Sequence, residues 1–188
     1  MEHVTVEAAD PDDVRRTACR RLGEGLETAH VAVNHYRVPP GGGLPGGLHA
    51  HADQEEAFVV LAGTATFETL DGRVTVESGE AIGFAPGEFQ SGVNERDAPL
   101  VVLALGAPAG SADVRLPFAC PNCGYDSIRL GVEDHPTFGC PDCGAEFVPA
   151  PCPTCGSDEL HATTDDENEP VVACRACGAV VDRPPMEG

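Results

Sequence analysis

The 188-residue chain has no tryptophan and no lysine; all 11 of its basic residues are arginine, against 31 acidic ones, for a formal net charge of −20. Without a basic face, nucleic-acid binding through phosphate contacts is disfavoured. Long hydrophobic runs are also missing. Leu100 to Leu105, a run as long as any, is strand-sized, far short of the 18 or so residues that span a bilayer, so no membrane segment is expected. The opening Met1-Glu2-His3 lacks a basic-then-apolar leader, and a soluble cytoplasmic protein is the expectation. Acid excess with lysine depletion fits a halophilic setting. In molar salt the Debye length falls to about 3 Å and such a surface repels itself far less. Single exposed carboxylates are therefore read as solvation rather than chemistry.

Cysteine is absent between Cys19 and Cys120, and eight of the nine cysteines follow residue 119. The chain changes character near Gly106-Ala107-Pro108-Ala109-Gly110-Ser111, with a boundary at about 107–117. Each side of Leu116 carries a net charge of −10, so the shorter C-terminal part is the denser in negative charge. The expected division is an N-terminal helical segment over 1–27, a β-barrel over 28–110 and two small cysteine modules over 117–148 and 149–183.

Asp10 as N-cap, Pro11 at the first helical position, and Asp12 and Asp13 at the dipole predict a short N-terminal helix stopped by Gly23. Arg15, Arg16, Arg20 and Arg21 read as a solvated or ion-paired face, and Cys19 as a half-buried, unreactive thiol. From Thr28 the pattern is strand-like: Ala29–Val38, Leu48–His51, Glu56–Leu61, Thr64–Thr69, Val74–Val76, Ala81–Ala85, Phe89–Val93 and Leu100–Leu105. Asp71-Gly72 signals a hairpin. Eight short strands with glycine punctuation predict a mainly β jelly roll or small barrel.

His49 and His51, two apart, share one face of a strand, and Glu56 opens the next strand. Two imidazoles and a carboxylate form a donor set for a divalent transition metal with open positions. Gly43, His49, His51, Glu56 and Gly63, in the run G-x5-HxH-x4-E-x6-G, resemble the first motif of the cupin superfamily. Gly79 through Asn94, with its Pro86-Gly87 turn, resembles the second. The resemblance covers about 29–106 and implies a jelly-roll barrel with one metal (Fe, Mn, Ni or Zn) held by His49, His51 and Glu56. Where the family pattern has a fourth ligand, a histidine, this chain has Gln90, which is left as a ligand, a holder of metal-bound water or a hydrogen-bond donor to substrate. Tyr36 and His35 are noted as cavity contacts or as ordinary packing.

Cys120, Cys123, Cys140 and Cys143, then Cys152, Cys155, Cys174 and Cys177, fit the C-x2-C-x15–20-C-x2-C pattern twice. Glycine follows each pair. Two structural zinc ions in tandem zinc ribbons are predicted; an interleaved pairing, with Cys140 and Cys143 joined to Cys152 and Cys155, stays open. Closed four-thiolate sites are structural rather than catalytic. The hairpin tips, Val132-Glu133-Asp134-His135 and Asp165 to Glu169, are acidic, and His135 and His161 read as exposed.

Two functions follow from these residues. One is a metal-dependent enzyme on a small polar metabolite, with isomerase and dioxygenase chemistry both open. The other is a non-enzymatic sensor of a small molecule or metal, its ribbons docking a protein partner. A small-molecule ligand is expected in both, and a homodimer is compatible with either.

Overall fold

The computed structural model describes residues 1–9, 11–14, 17–131 and 135–187, with the side chains of Ala8, Asp13 and Val14 also undescribed. The capping role assigned to Asp10, the Arg15 and Arg16 pair, and the tip Val132-Glu133-Asp134 lie outside the described residues. A single 3-10 turn at Val6–Ala8 precedes β1 (Asp12–Val14), β2 (Thr17–Arg21) and one helical turn, α1 (Leu22–Gly25). Then come β3 (Ala32–Val38), β4 (Ala50–His51), β5 (Glu55–Ala62), β6 (Thr64–Thr69), β7 (Gly72–Glu77), β8 (Ala81–Phe84), β9 (Ser91–Val93) and β10 (Leu100–Ala107).

All of these strands except β4 form two antiparallel sheets, ordered β1-β2-β3-β10-β5-β8 and β7-β6-β9, in a jelly roll. Strand alternation aims one row of each inward. In β10 that row is Leu100, Val102, Ala104 and Gly106, all buried, while the residues between them are half-buried. Phe58, Phe67 and Phe84 meet at centroid separations of 5.1 to 6.1 Å and, with Val38, Val60, Leu100 and Val102, fill the space between the sheets. The β6–β7 hairpin turns on Leu70-Asp71, one residue earlier than the Asp71-Gly72 signal suggests. Gly72 already pairs with Thr69, at a φ of 127°.

The expected N-terminal helix is corrected: Asp12–Val14 and Thr17–Arg21 are strands, and among the described residues of this segment α-helix is found only at Leu22–Gly25. The reason is tertiary. An amphipathic helix here would have only Val14, Ala18 and Leu22 to bury, whereas an extended β2 buries Thr17 and Cys19 and pairs with β3 from Ala18↔Arg37 to Arg21↔Asn34. Sheet packing outweighs propensity. Cys19 lies at 3% exposure with its thiol pushed up mainly by burial, an inert environment. Arg21 pairs with Asp12 at 2.9 Å, and Arg20 donates to the Ala9 carbonyl.

The remainder comprises β11 (Val114–Leu116), β12 (Ile128–Gly131), β13 (Thr137–Gly139), β14 (Glu146–Pro149), β15 (Leu160–Thr164), β16 (Pro170–Cys174), β17 (Val180–Val181) and β18 (Met186–Glu187). One sheet runs β18-β14-β13-β12-β11-β4, so the first cysteine module continues directly from the barrel strand that bears His51. β11 lies within the stretch that composition marks as a boundary, pairing Val114 with His51 and Arg115 with Ala50. The second module is a three-stranded sheet, β15-β16-β17, and its Ala162 carbonyl accepts from the Leu48 amide at 2.8 Å. Leu48, Leu116, Phe118, Ile128, Phe138, Ala162 and Val172 form a second core shared by the barrel and both modules. β18 returns to pair with β14, tying the end of the second module to the first.

Candidate metal centre

His49 and His51 leave a turn made by Gly46 and Gly47. Both glycines have positive φ, 107° and 67°, and each makes room for a different neighbour. A Cβ on Gly46 would stand 2.7 Å from the His49 ring, and one on Gly47 would stand 2.7 Å from the Ala162 carbonyl oxygen. The His49 ring therefore folds over its own turn while the second cysteine module closes on the backbone behind it. His49 also bridges to Gln90 through paired backbone hydrogen bonds of 3.1 and 2.9 Å.

The His49 Nδ1 donates to the Gly47 carbonyl at 2.8 Å, which leaves Nε2 as the free lone pair. That Nε2 lies 3.2 Å from Nε2 of His51, which in turn lies 3.6 Å from Glu56 Oε1. The three donor atoms all fall within 4.8 Å of one another. The Nδ1 of His51 is buried without a hydrogen-bond partner among the described residues, and it is Nε2 that this ring turns toward His49 and Glu56. Burial pulls the His49 pKa down, which favours the neutral, ligating imidazole. Two nitrogens bound side by side at about 2.1 Å from a metal would stand about 3 Å apart. The residues fit a divalent transition metal.

Gln90, at 3% exposure, donates from Nε2 to Glu56 Oε2 at 3.0 Å. Its amide thus holds the second carboxylate oxygen while the first faces His51. Tyr36 lines the cavity; His35, one residue away, lies on the opposite face of β3, paired in register with Arg20.

The cavity before these groups has a volume of about 270 Å3. Cross-strand pairing explains its shape. Glu56 sits opposite Gly106, which sits opposite Ala32; the next row inward is Phe58, Ala104 and Asn34; the next is Val60, Val102 and Tyr36. Small residues near the metal-facing row leave space that the larger ones below close. Asn34, Gln54 and Ser111 also line it, and sequence reading missed all three. Asn34 could have been found from alternation, two residues before Tyr36. Ser111 carried no signal. It is brought in because its hydroxyl donates to Asp53 at 2.6 Å and the Ala112 amide donates to the same carboxylate, while Gln54 donates to the Pro108 carbonyl.

The eight C-terminal cysteines form two clusters, Cys120, Cys123, Cys140, Cys143 and Cys152, Cys155, Cys174, Cys177, so the sequential pairing holds and the interleaved one does not. Sulfur separations of 3.5 to 3.8 Å match the roughly 3.8 Å edge of a tetrahedron with metal–sulfur bonds of about 2.3 Å. All four knuckles repeat one turn: the glycine amide returns to the first cysteine's carbonyl, as in Gly124 to Cys120 at 2.9 Å. His161 is not on the open surface, as expected from sequence, but half-buried, and with His135 it lines an apolar cavity of about 690 Å3 between the modules. Asp165 to Glu169 do form an exposed hairpin turn.

Residues 34–106 match the cupin domain family. No curated protein sequence matches the chain. Among solved structures, the polyketide cyclase RemF of Streptomyces resistomycificus is similar at 23% identity and a TM-score of 0.55, over 65% of this chain and 89% of its own. A cupin-superfamily sugar phosphate isomerase of Silicibacter pomeroyi is similar at 17% identity and a TM-score of 0.54, over 77% and 90%. An Acidithiobacillus ferrooxidans protein is similar at 23% identity and a TM-score of 0.48; the chain spans 62% of that protein's length. No helix among the described residues is long and apolar enough to cross a membrane. The jelly roll that carries His49, His51 and Glu56 has the cupin fold.

Proposed function

We propose that the barrel is a metal-dependent enzyme centre for a small polar metabolite, with His49, His51 and Glu56 as the metal ligands. The observation that carries this reading is the convergence of their three donor atoms within 4.8 Å at a polar-lined cavity. A divalent transition metal bound there would supply a Lewis acid with open positions, able to polarise a carbonyl or, as iron, to bind dioxygen. The chain's own residues orient that chemistry. The Gly47 carbonyl fixes the His49 tautomer, and Gln90 holds Glu56 so that one carboxylate oxygen stays turned to His51. We assign Gln90 this holding role in place of the missing histidine. The two cysteine clusters are proposed as structural zinc sites, since four thiolates leave no open position.

Elemental analysis of the purified chain tests the proposal: two zinc ions and one further metal per chain are expected. The double variant His49→Ala, His51→Ala should lose only the third ion. A native protein that holds two zincs and takes up no third ion under titration would overturn the enzyme reading.

A further inference from the structure

The short segment that carries His49 and His51 serves two cores at once. The two imidazoles line the barrel cavity, and alternation turns Leu48 and Ala50 the other way, where they are buried at 0% and 1% exposure. Leu48 shares its core with Leu116, Phe118 and Ile128 at the first cysteine module and with Ala162 and Val172 of the second. The backbone is divided in the same manner. From the barrel, Gln90 bridges to His49, and the Gly87 amide donates to the His51 carbonyl at 2.9 Å. From the other side, β11 pairs with Ala50 and His51. The Ala52 amide donates to the Asp113 carbonyl and the Leu48 amide to the Ala162 carbonyl, both at 2.8 Å.

These outer partners are placed by the cysteine modules. β11 leads through Phe118 to Cys120 and pairs with β12, which lies between Cys123 and Cys140 in the chain. Arg129 of β12 grips the Asp113 carboxylate with two hydrogen bonds, of 2.9 and 3.0 Å. In the second module Ala162 faces Val172, and in the same ladder Leu160 faces Cys174, a member of the second cluster. Small modules built on such clusters order around their ion. Without that order, Gln90 and Gly87 are the barrel's remaining backbone hold on the two histidines.

Resting on the barrel-metal and zinc readings above, we propose that the cysteine modules are a zinc-dependent clamp on the barrel centre. Loaded, they fix residues 48–52, so that Nε2 of His49 and Nε2 of His51 stay 3.2 Å apart. Stripped, they release that segment, while the phenylalanine and valine core between the barrel sheets, to which neither module contributes, persists. Zinc occupancy thereby sets the affinity of the barrel for its own ion. By linkage, an ion in the barrel strengthens zinc retention by the same factor.

The test uses the full chain, stripped of metal with a chelator that is then dialysed away. Mn2+ is titrated by water-proton relaxation with and without prior addition of two equivalents of zinc, one for each cluster. Thiolates take zinc first and hold Mn2+ poorly, so Mn2+ reports the barrel. The double variant His49→Ala, His51→Ala supplies the background from surface carboxylates. Zinc is expected to tighten Mn2+ about tenfold or more. Amide hydrogen exchange should show 48–52 protected only with zinc, and β6 and β10 protected in both states. Leu48→Ala, which alters no ligand, should weaken Mn2+ severalfold in the zinc-loaded chain. An Mn2+ affinity unchanged by zinc or by Leu48→Ala would overturn the proposal. Loss of protection in β6 and β10 without zinc would overturn it too, because the modules would then be holding up the whole barrel. Failure of the zinc-loaded chain to bind Mn2+ would overturn the barrel-metal reading instead, and failure to take up zinc the zinc reading.

Discussion

The barrel centre and the cysteine clusters both gather ligand atoms within a few ångströms, but they are built in opposite ways. The barrel ligands are held from behind: Gly47 supports His49, Gln90 supports Glu56, and a closed sheet packed with phenylalanine and valine supports them all. That fold would persist without an ion. In the C-terminal modules the four knuckles are themselves the framework, and two of their four buried cysteines, Cys120 and Cys140, are members of the second core. A centre that the fold precedes can leave positions open for chemistry. A centre that precedes the fold must close its ion completely.

The largest effect should come from the sulfur side. Cys120→Ser should remove one of the two proposed zinc ions and unfold the first module, because structural zinc sites contribute about 10–16 kcal/mol in zinc-finger peptides. Circular dichroism and zinc content read this directly, and a variant that melts like the native chain would break the contrast. An intermediate effect is expected where the two regions meet. Leu48 is fully buried and belongs to the second core, so Leu48→Ala should cost about 2–5 kcal/mol in a urea titration. A cost near zero would mean that barrel and modules are energetically separate. The smallest effect belongs to the open centre: Gln90→Ala should lower affinity for the barrel metal about 10–100-fold, measured by chelator competition, with little change in melting.

The clustering of both donor sets was legible from local spacing. HxH on a strand and C-x2-C pairs each place donors close together with few long-range assumptions, and alternation from Ala29 to Leu105 located most barrel strands. What was hidden depends on partners far along the chain. β2 is a strand because β3 lies beside it; its own residues, with Asp12, Asp13 and Gly23 around them, read as a helix. The pairing of β4 with β11 joins His51 to Val114 across a stretch whose glycine and proline content suggests a plain linker. The position of Ser111 in the cavity follows from Asp53, 58 residues away in sequence. None of these contacts leaves a periodic trace.

The β4–β11 pairing has a practical side. Cutting the chain after residue 110 would strip β4 of its neighbour, leaving a row of unsatisfied amides and carbonyls next to an uncovered Leu48. An excised barrel would therefore present a sticky margin beside its proposed metal ligands, and is expected to cling to other copies of itself rather than remain a dispersed, simpler version of the whole.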